Sequence, residues 1–507
     1  MRTRDHAKAG APPRGIRHIG SGCGGLRQST VGALALVLIA CAWLGWAVTL
    51  AAGAGRPALR WRLLTLPVPA HGSFSYAEPG IAIGPDGYAL ADAATANTGA
   101  PPTFWLSRDA GDTWASGQDV DTTGTSTGDA DAAIGPDGYL YALNLGYNSN
   151  PPGQPTNPTV LVFRSRDGRR WSGPASFSEP HGLDQPDRPW LIVNPFQPAN
   201  VDVLNSEGGG NIVIWRSLDH GADFSGPYPV TGGANSQAAL ALSSRPLLDP
   251  THEGRLFMLY ETATPSGAVT LAGAGTPIYE FPMTQLWLAS STDAGLTWTN
   301  RPVLDTATLS GLLRGATLGH LLVASAIDAA GRLYAAFSLR PAGSTETRIF
   351  LVHSTDHGAR WSAPSELDAP TNSNVMPALA VTRAGVAYLS WYGSQATDFR
   401  NGIARWAEMF AEIPNPLAPH PTFTVSQVSG PVPVHVGGID TAGAIGSDLG
   451  DNWGLRDFQS IAVDACGRPH LVWADDNATF KTMSAFPAQP CTMPRRGQTP
   501  TASGDFG

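Results

Sequence analysis

Lysine is nearly missing from this chain of 507 residues: only Lys8 and Lys481 occur, with arginine carrying almost all the positive charge, a bias of composition rather than a sign of function. Charged residues make up only 14% of the chain, and nowhere is there a long run of Glu, Lys, Leu and Ala of the sort a helical bundle needs. Cysteine is scarce at four residues, and no Cys/His group has zinc-ligand sequence spacing. A basic stripe is absent as well. Six of the 32 basic and one of the 41 acidic residues fall within residues 1–28, leaving 26 against 40, a net charge of −14, in the rest. An acidic body of this kind argues against nucleic acid as a partner.

What is abundant is Gly (58), Pro (43) and Trp (15). Short strands joined by tight turns produce that composition. The length exceeds one ordinary domain of ~150 residues but suits one large repeat-built domain.

Residues 31–54 (VGALALVLIACAWLGWAVTLAAGA) carry no charge, and about 20 apolar residues cross a bilayer as a helix. Six basic residues precede the segment and Arg56, Arg60 and Arg62 follow it, which places residues 1–30 in the cytoplasm as a basic segment. Three readings stand: an uncleaved anchor, a signal cleaved near Ala52-Gly53-Ala54, and a lipoprotein signal acylated at Cys41. Each exports residues 55–493, so the expected location is membrane-anchored or secreted, outside the cytoplasm. Cys466 and Cys491 then form an isolated pair in an oxidising compartment and are a disulfide candidate. Residues 494–507 are polar and are expected to be a disordered tail.

Two patterns alternate through residues 55–493. The first is an apolar strand, a tight turn and a second apolar strand, as in IAIGPDGYALADA from Ile81 and AAIGPDGYLYALN from Ala132. Looser copies start at Leu191, Ala241, Ala324, Ala378 and Ser460, making seven. The second is S-x-D-x-G-x-x-W: Ser107/Asp109/Gly111/Trp114, Ser291/Asp293/Gly295/Trp298 and Ser354/Asp356/Gly358/Trp361. Ser217/Asp219/Gly221 ends in Phe224, and Ser165/Asp167/Gly168/Trp171 is one residue short. Such a turn is tied by its own Asp and Ser side chains, with Gly in the left-handed region and the aromatic ring in the apolar layer.

One repeat therefore reads as four antiparallel strands, a propeller blade. Over residues 60–485 the sequence resembles the Asp-box, or bacterial neuraminidase repeat, proteins, the group that contains sialidases. The resemblance implies an all-β propeller of four-stranded blades. Seven blades are expected from the seven copies, and six, as in sialidases of this group, is the alternative count. It also implies that the boxes sit on the periphery, so Asp109, Asp167, Asp219, Asp293 and Asp356 are assigned to folding. The last repeat lacks a fourth strand, and Trp61-Arg-Leu-Leu-Thr-Leu-Pro67 has no partner of its own. That segment is expected to complete the last blade and close the ring.

Ligands of a propeller meet the residues just before each innermost strand. Here these are Glu78, Asp129/Asp131, Asp187, Arg188, Trp190, Gln237, His320, Asn374, Asp451, Trp453 and Gln459. Acids, amides, one Arg and Trp faces suit sugar hydroxyls or a hard cation such as calcium. No other cofactor is expected, and whether a metal binds stays open. A glycan or glycoprotein is the expected ligand, with the membrane as a second partner. Sialidases of the resembling group hold the sugar carboxylate with three arginines, the first in a Phe/Tyr-Arg-Ile-Pro motif. This chain has Tyr76-Ala77-Glu78-Pro79 there, with Ala77 in place of Arg. Asp187, Arg188 and Tyr392 are the catalytic candidates, Tyr392 with a strand-end packing role as its alternative. Three functions stay open: a glycoside hydrolase, a non-catalytic surface propeller binding glycan or protein, and a metal-dependent hydrolase or lyase using the channel-mouth acids. The long stretches 262–284 and 393–458 read as insertions, either lids or surface elaboration.

Overall fold

A computed structural model describes residues 59–68, 76–95, 101–121, 126–147, 158–178, 186–207, 211–231, 244–263, 283–318, 323–439, 455, 457–476 and 481–488. The anchor or signal segment, Gln237, His320, Asp451, Trp453, Cys491 and the C-terminal tail lie outside these residues. Among the described residues no helix is long and apolar enough to cross a membrane.

The described strands form seven antiparallel four-stranded units. From the innermost strand outward, blade I is Tyr76–Ile83, Ala89–Thr95, Thr103–Ser107 and Gln118–Asp119; blade II is Ser126–Ile134, Leu140–Tyr147, Pro158–Ser165 and Ser172–Phe177. Blade III is Asp187–Val193, Val201–Glu207, Asn211–Ser217 and Ser225–Pro229; blade IV is Leu247–Leu248, Leu256–Ala263, Met283–Ser291 and Thr299–Asp305. Blade V is Ala324–Ile327, Leu333–Arg340, Arg348–Ser354 and Ser365–Glu366; blade VI is Ser373–Val381, Ala387–Ser394, Arg405–Ile413 and Thr424–Gln427. Blade VII is Ser460–Val463, Pro469–Asp475, Lys481–Pro487 and, at its outer edge, Trp61–Thr65. Innermost strands lie side by side from blade I to II, II to III, IV to V, V to VI and VI to VII, blades III and IV share a core cluster, and the innermost strands of blades VII and I meet, so the sheets form a ring: a seven-bladed β-propeller.

The reason is visible in the burial. The second strands Ala89–Thr95 and Leu333–Arg340 run almost wholly buried, because each sheet is covered by a neighbour on both faces. Apolar runs without alternation answer that demand. The core accordingly sits between blades: Trp190, Leu259, Phe337 and Phe458, from blades III, IV, V and the lead into VII, belong to one cluster.

Closure is by the N-terminal strand, as its unpartnered sequence suggests. Trp61 stands opposite Pro487 and Thr65 opposite Met483, and Leu66 N–H donates to Thr482 O at 3.0 Å. Trp61 also meets Phe410 of blade VI edge-on, with centroids 4.7 Å apart.

The five Ser/Asp turns join strands three and four of blades I to V. In each the Ser hydroxyl accepts from the glycine N–H at 2.8–2.9 Å. The same hydroxyl donates to the carboxylate of Asp109, Asp167, Asp219, Asp293 or Asp356 at 2.8–3.2 Å. Gly111 shows why the position is glycine. Its φ is 85°, and a Cβ there would stand 3.2 Å from His470 Nδ1 of blade VII. In four of the turns the residue before the glycine also has positive φ: Ala110, His220, Ala294 and His357, at 53–61°. The sequence pattern pointed only to glycine there.

The aromatic residues that end these turns need a correction. The pattern puts their rings inside the apolar layer, but Trp114, Trp298 and Trp361 are only half-buried. Each packs one side against the apolar core, Trp114 beside the Tyr76–Trp105 cluster and Trp298 and Trp361 beside the large cluster around Leu259. Trp298 Nε1 donates back to Gly295 O at 3.0 Å, so that ring also ties its own turn.

Residues 393–458 need a second correction: Arg405–Ile413 and Thr424–Gln427 are not an insertion but the third and fourth strands of blade VI. They were disguised by the absence of a Ser/Asp turn between them. Cys466 is disulfide-bonded.

Candidate functional site

Four innermost strands share a local device. Register shifts interrupt the pairing between Ala77 and Gly80, Thr127 and Ala130, Asp187 and Trp190, and Val375 and Ala378. At three of these bulges a residue other than glycine has positive φ: Glu78 (53°), Arg188 (49°) and Met376 (55°). Each precedes a proline, which itself restricts the backbone of the residue before it. A bulge re-aims a side chain, and strained backbone of this kind gathers at ligand sites.

The bulges bring buried charges together across the channel. Arg188 Nη2 lies 2.8 Å from Glu78 Oε1 and also pairs with Asp457, while its Nε lies 3.8 Å from Asp129 Oδ2. Asp129 Oδ2 further accepts from the Arg188 backbone N–H at 2.8 Å. Blades I and II and the lead into VII thus supply three carboxylates to the guanidinium of blade III, all four residues being buried.

Beside it, Asp131 grips Arg245 bidentately, one contact being 3.0 Å, and accepts from Leu191 N–H at 2.7 Å. Arg245 stacks over Trp190 at 4.7 Å, and Trp190 meets Phe458 at 5.2 Å. Asp92 is fully buried with its carboxyl against Gly80, where a Cβ would come within 2.4 Å of Oδ2. Burial, and then the charge of Asp131, push the Asp92 carboxyl well above the usual range, against a smaller opposing pull from Arg245. Burial raises the Asp131 carboxyl too, with Arg245 and the Leu191 N–H pulling the other way. A cavity of about 90 Å³ adjoins this cluster, lined among others by Trp190, Arg245, Ser325, Phe458 and Gln459.

Of the residues expected from the sequence, Glu78, Asp131, Arg188 and Trp190 converge here. Asp187 begins the innermost strand of blade III opposite Ser206. Asn374 and Gln459 are buried in hydrogen bonds to the fold: Asn374 Oδ1 accepts from Trp391 Nε1 at 2.7 Å, and Gln459 Nε2 donates to Met376 O at 3.0 Å. Tyr392 is fully buried, its hydroxyl donating to Ala474 O at 3.3 Å and accepting from Ala474 N–H at 3.2 Å. Its hydroxyl thereby links blades VI and VII. Arg245 and Asp457 escaped the reading of candidates. The signal for Arg245 was the recurrence of X-Pro at the head of the innermost strands, in Glu78-Pro79, Arg188-Pro189, Arg245-Pro246 and Met376-Pro377. A larger groove of about 430 Å³ lies on blade VI, lined by Gln395, Arg405, Trp406, Met409 and Gln427 among others, with no carboxylate in its wall.

No protein-family model and no curated protein matches the chain. Solved structures do resemble it. An alpha-L-arabinanase of Penicillium chrysogenum complexed with arabinobiose is 14% identical with a TM-score of 0.42, over 72% of this chain and 97% of that one. A PL25 ulvan lyase bound to -[GlcA(1-4)Rha3S]- is 12% identical with a TM-score of 0.46, over 83% and 92%. NanB with Optactamide is 10% identical with a TM-score of 0.44, over 83% and 70%. At such identity and overlap, none of their chemistry carries over to this chain.

Proposed function

We propose that this is an exported propeller acting on a glycan at the channel end where Glu78, Asp129, Arg188 and Asp457 meet, as a glycoside hydrolase for sugars without a carboxylate. The observation that carries this reading is the engagement of Arg188 by three carboxylates. A guanidinium so neutralised has nothing left for a sugar acid, and Arg245, the other arginine of the cluster, is held by Asp131. A sialoside would also face the carboxylate of Glu78. Neutral sugars suit the place better: acids and amides accept and donate to hydroxyls.

A second reading, non-catalytic glycan binding, is supported by the burial of the same acids, which serve the ion-pair network. Hydrolysis of a fluorogenic glycoside panel, sialosides included, by the purified chain separates the two, with an Asp187→Ala/Arg188→Ala variant alongside. Turnover of a neutral glycoside, lost in the variant, supports the hydrolase. Turnover of a sialoside overturns the specificity. No turnover by the folded chain, with binding on a glycan array, favours the binding module.

A further inference from the structure

The strand one-to-two turns and the Ser/Asp turns lie at the end of the ring away from the channel mouth. There the Leu248–Leu256 turn of blade IV meets blade V. Asp249 is fully buried: Oδ1 accepts from Thr251 N–H at 2.8 Å and from its hydroxyl at 2.6 Å, and Oδ2 accepts from Arg255 Nη1 at 3.1 Å. Two imidazoles face the same oxygen, His357 Nδ1 at 3.2 Å and His252 Nδ1 at 3.7 Å. Their rings stand 5.5 Å apart and nearly perpendicular, and the hydroxyl of Thr251 lies 2.7 Å from His252 Nδ1. One ligand atom from each of Asp249, His252 and His357 lies within 4.8 Å of the others.

These spacings fit a metal. Bonds of about 2.0–2.1 Å to nitrogen and oxygen in a tetrahedron put neighbouring ligand atoms about 3.3 Å apart, and the two separations straddle that value. Gly331, in the adjoining turn of blade V, keeps the place open: a Cβ there would lie 3.0 Å from His357 Cε1 and 3.1 Å from Asp249 Oδ1. Arg255 uses one lone pair of Oδ2 and leaves another. His252 and His357 are partly exposed, which admits solvent as a fourth ligand.

The seam between blades II and III gives an internal comparison. His220, which holds the position of His357 in its own turn, lies 3.5 Å from Asp137 Oδ2 and packs on Tyr139, with centroids 4.5 Å apart. That seam has one imidazole and an aromatic ring where blade IV provides His252. The second imidazole is what the repeat alone does not require. We propose that Asp249, His252 and His357 bind one divalent transition-metal ion of the zinc type, clipping the turn of blade IV to blade V.

The test uses the full chain, purified without a histidine tag and stripped with EDTA. Zinc is titrated calorimetrically, and cobalt(II) is followed by its visible absorption. The expected result is one tight equivalent and a zinc-dependent rise in Tm, both lost in the folded His252→Ala and His357→Ala variants and both kept in His220→Ala. No equivalent bound by the folded wild type, or an equivalent that survives in a His252→Ala/His357→Ala double variant, overturns the proposal.

Discussion

Arg188 and Glu78 are 110 residues and two blades apart, yet their side chains meet at 2.8 Å in the centre of the ring. Both stand at a bulge with positive φ, so the backbone of each blade is strained to produce the meeting. Removing one partner from a buried ion pair strands the other charge, a loss of about 3–5 kcal/mol. Arg188→Ala is expected to lower stability by that order in denaturant titrations, with Glu78→Gln milder because Asp129 and Asp457 still neutralise the guanidinium. An Arg188→Ala protein as stable as wild type would show that the network does not hold the ring.

Acid should weaken blade VII through Asp464. Burial raises its carboxyl, but hydrogen bonds from His470, the Arg468 N–H and the Arg468 guanidinium outweigh that and hold it at about 2. A depressed carboxyl contributes stability above its unfolded value near 3.8, and that contribution disappears as pH falls towards 2. At about 1.4 kcal/mol per pKa unit, roughly 2 kcal/mol is at stake. Denaturant titrations at pH 5 and pH 2.5 should show a smaller acid loss for Asp464→Asn than for wild type.

Glu408 behaves in the opposite sense. It is fully buried in the third strand of blade VI, and burial pushes its carboxyl well above the usual range, with Ser390 and Gln459 opposing only in part. A raised carboxyl favours the fold when protonated, so stability declines as pH climbs past its unfolded value. Glu408→Gln removes that dependence. Its Tm relative to wild type should rise between pH 5 and pH 8, and an unchanged difference would refute the assignment.

The Ser/Asp turns should matter to stability and not to ligands. Ser217→Ala deletes the acceptor of the Gly221 N–H, a loss of about 1 kcal/mol. Thermal unfolding should register it while glycan binding or turnover stays at the wild-type level.

The blades were legible because their signals are local. Pro-Asp-Gly at residues 85–87 and 136–138 fixes hairpins, and Ser-x-Asp-x-Gly ties the outer turns, so each announces itself within a few residues. How deep the closing aromatic sits is not local: Trp114, Trp298 and Trp361 are half-buried, each packed against a core cluster built from other strands. Blade VI was harder to read: with no such tie between Arg405–Ile413 and Thr424–Gln427, its outer half looked like an insertion. The channel was legible only in part. Glu78, Asp131, Arg188 and Trp190 follow from their place before an innermost strand. That Arg188 takes Glu78, Asp129 and Asp457 as partners depends on how three bulges and the lead into blade VII aim their side chains, which no local pattern encodes. Tyr392 shows the converse: a polar tip in an apolar run, whose hydroxyl finds Ala474 in the next blade.

The pairing of Trp61–Thr65 with Lys481–Pro487 has a consequence in time. On the ribosome the closing strand is made more than 400 residues before its partner, so the ring stays unlatched while the blades between them are made. During that interval Trp61–Thr65 and the unpaired rim of whichever blade was made last are exposed strands awaiting a mate, the kind of edge that pairs with the wrong chain. Chains that stop before Lys481 never reach the latch, and they are expected to persist as open, protease-sensitive arcs rather than as smaller propellers.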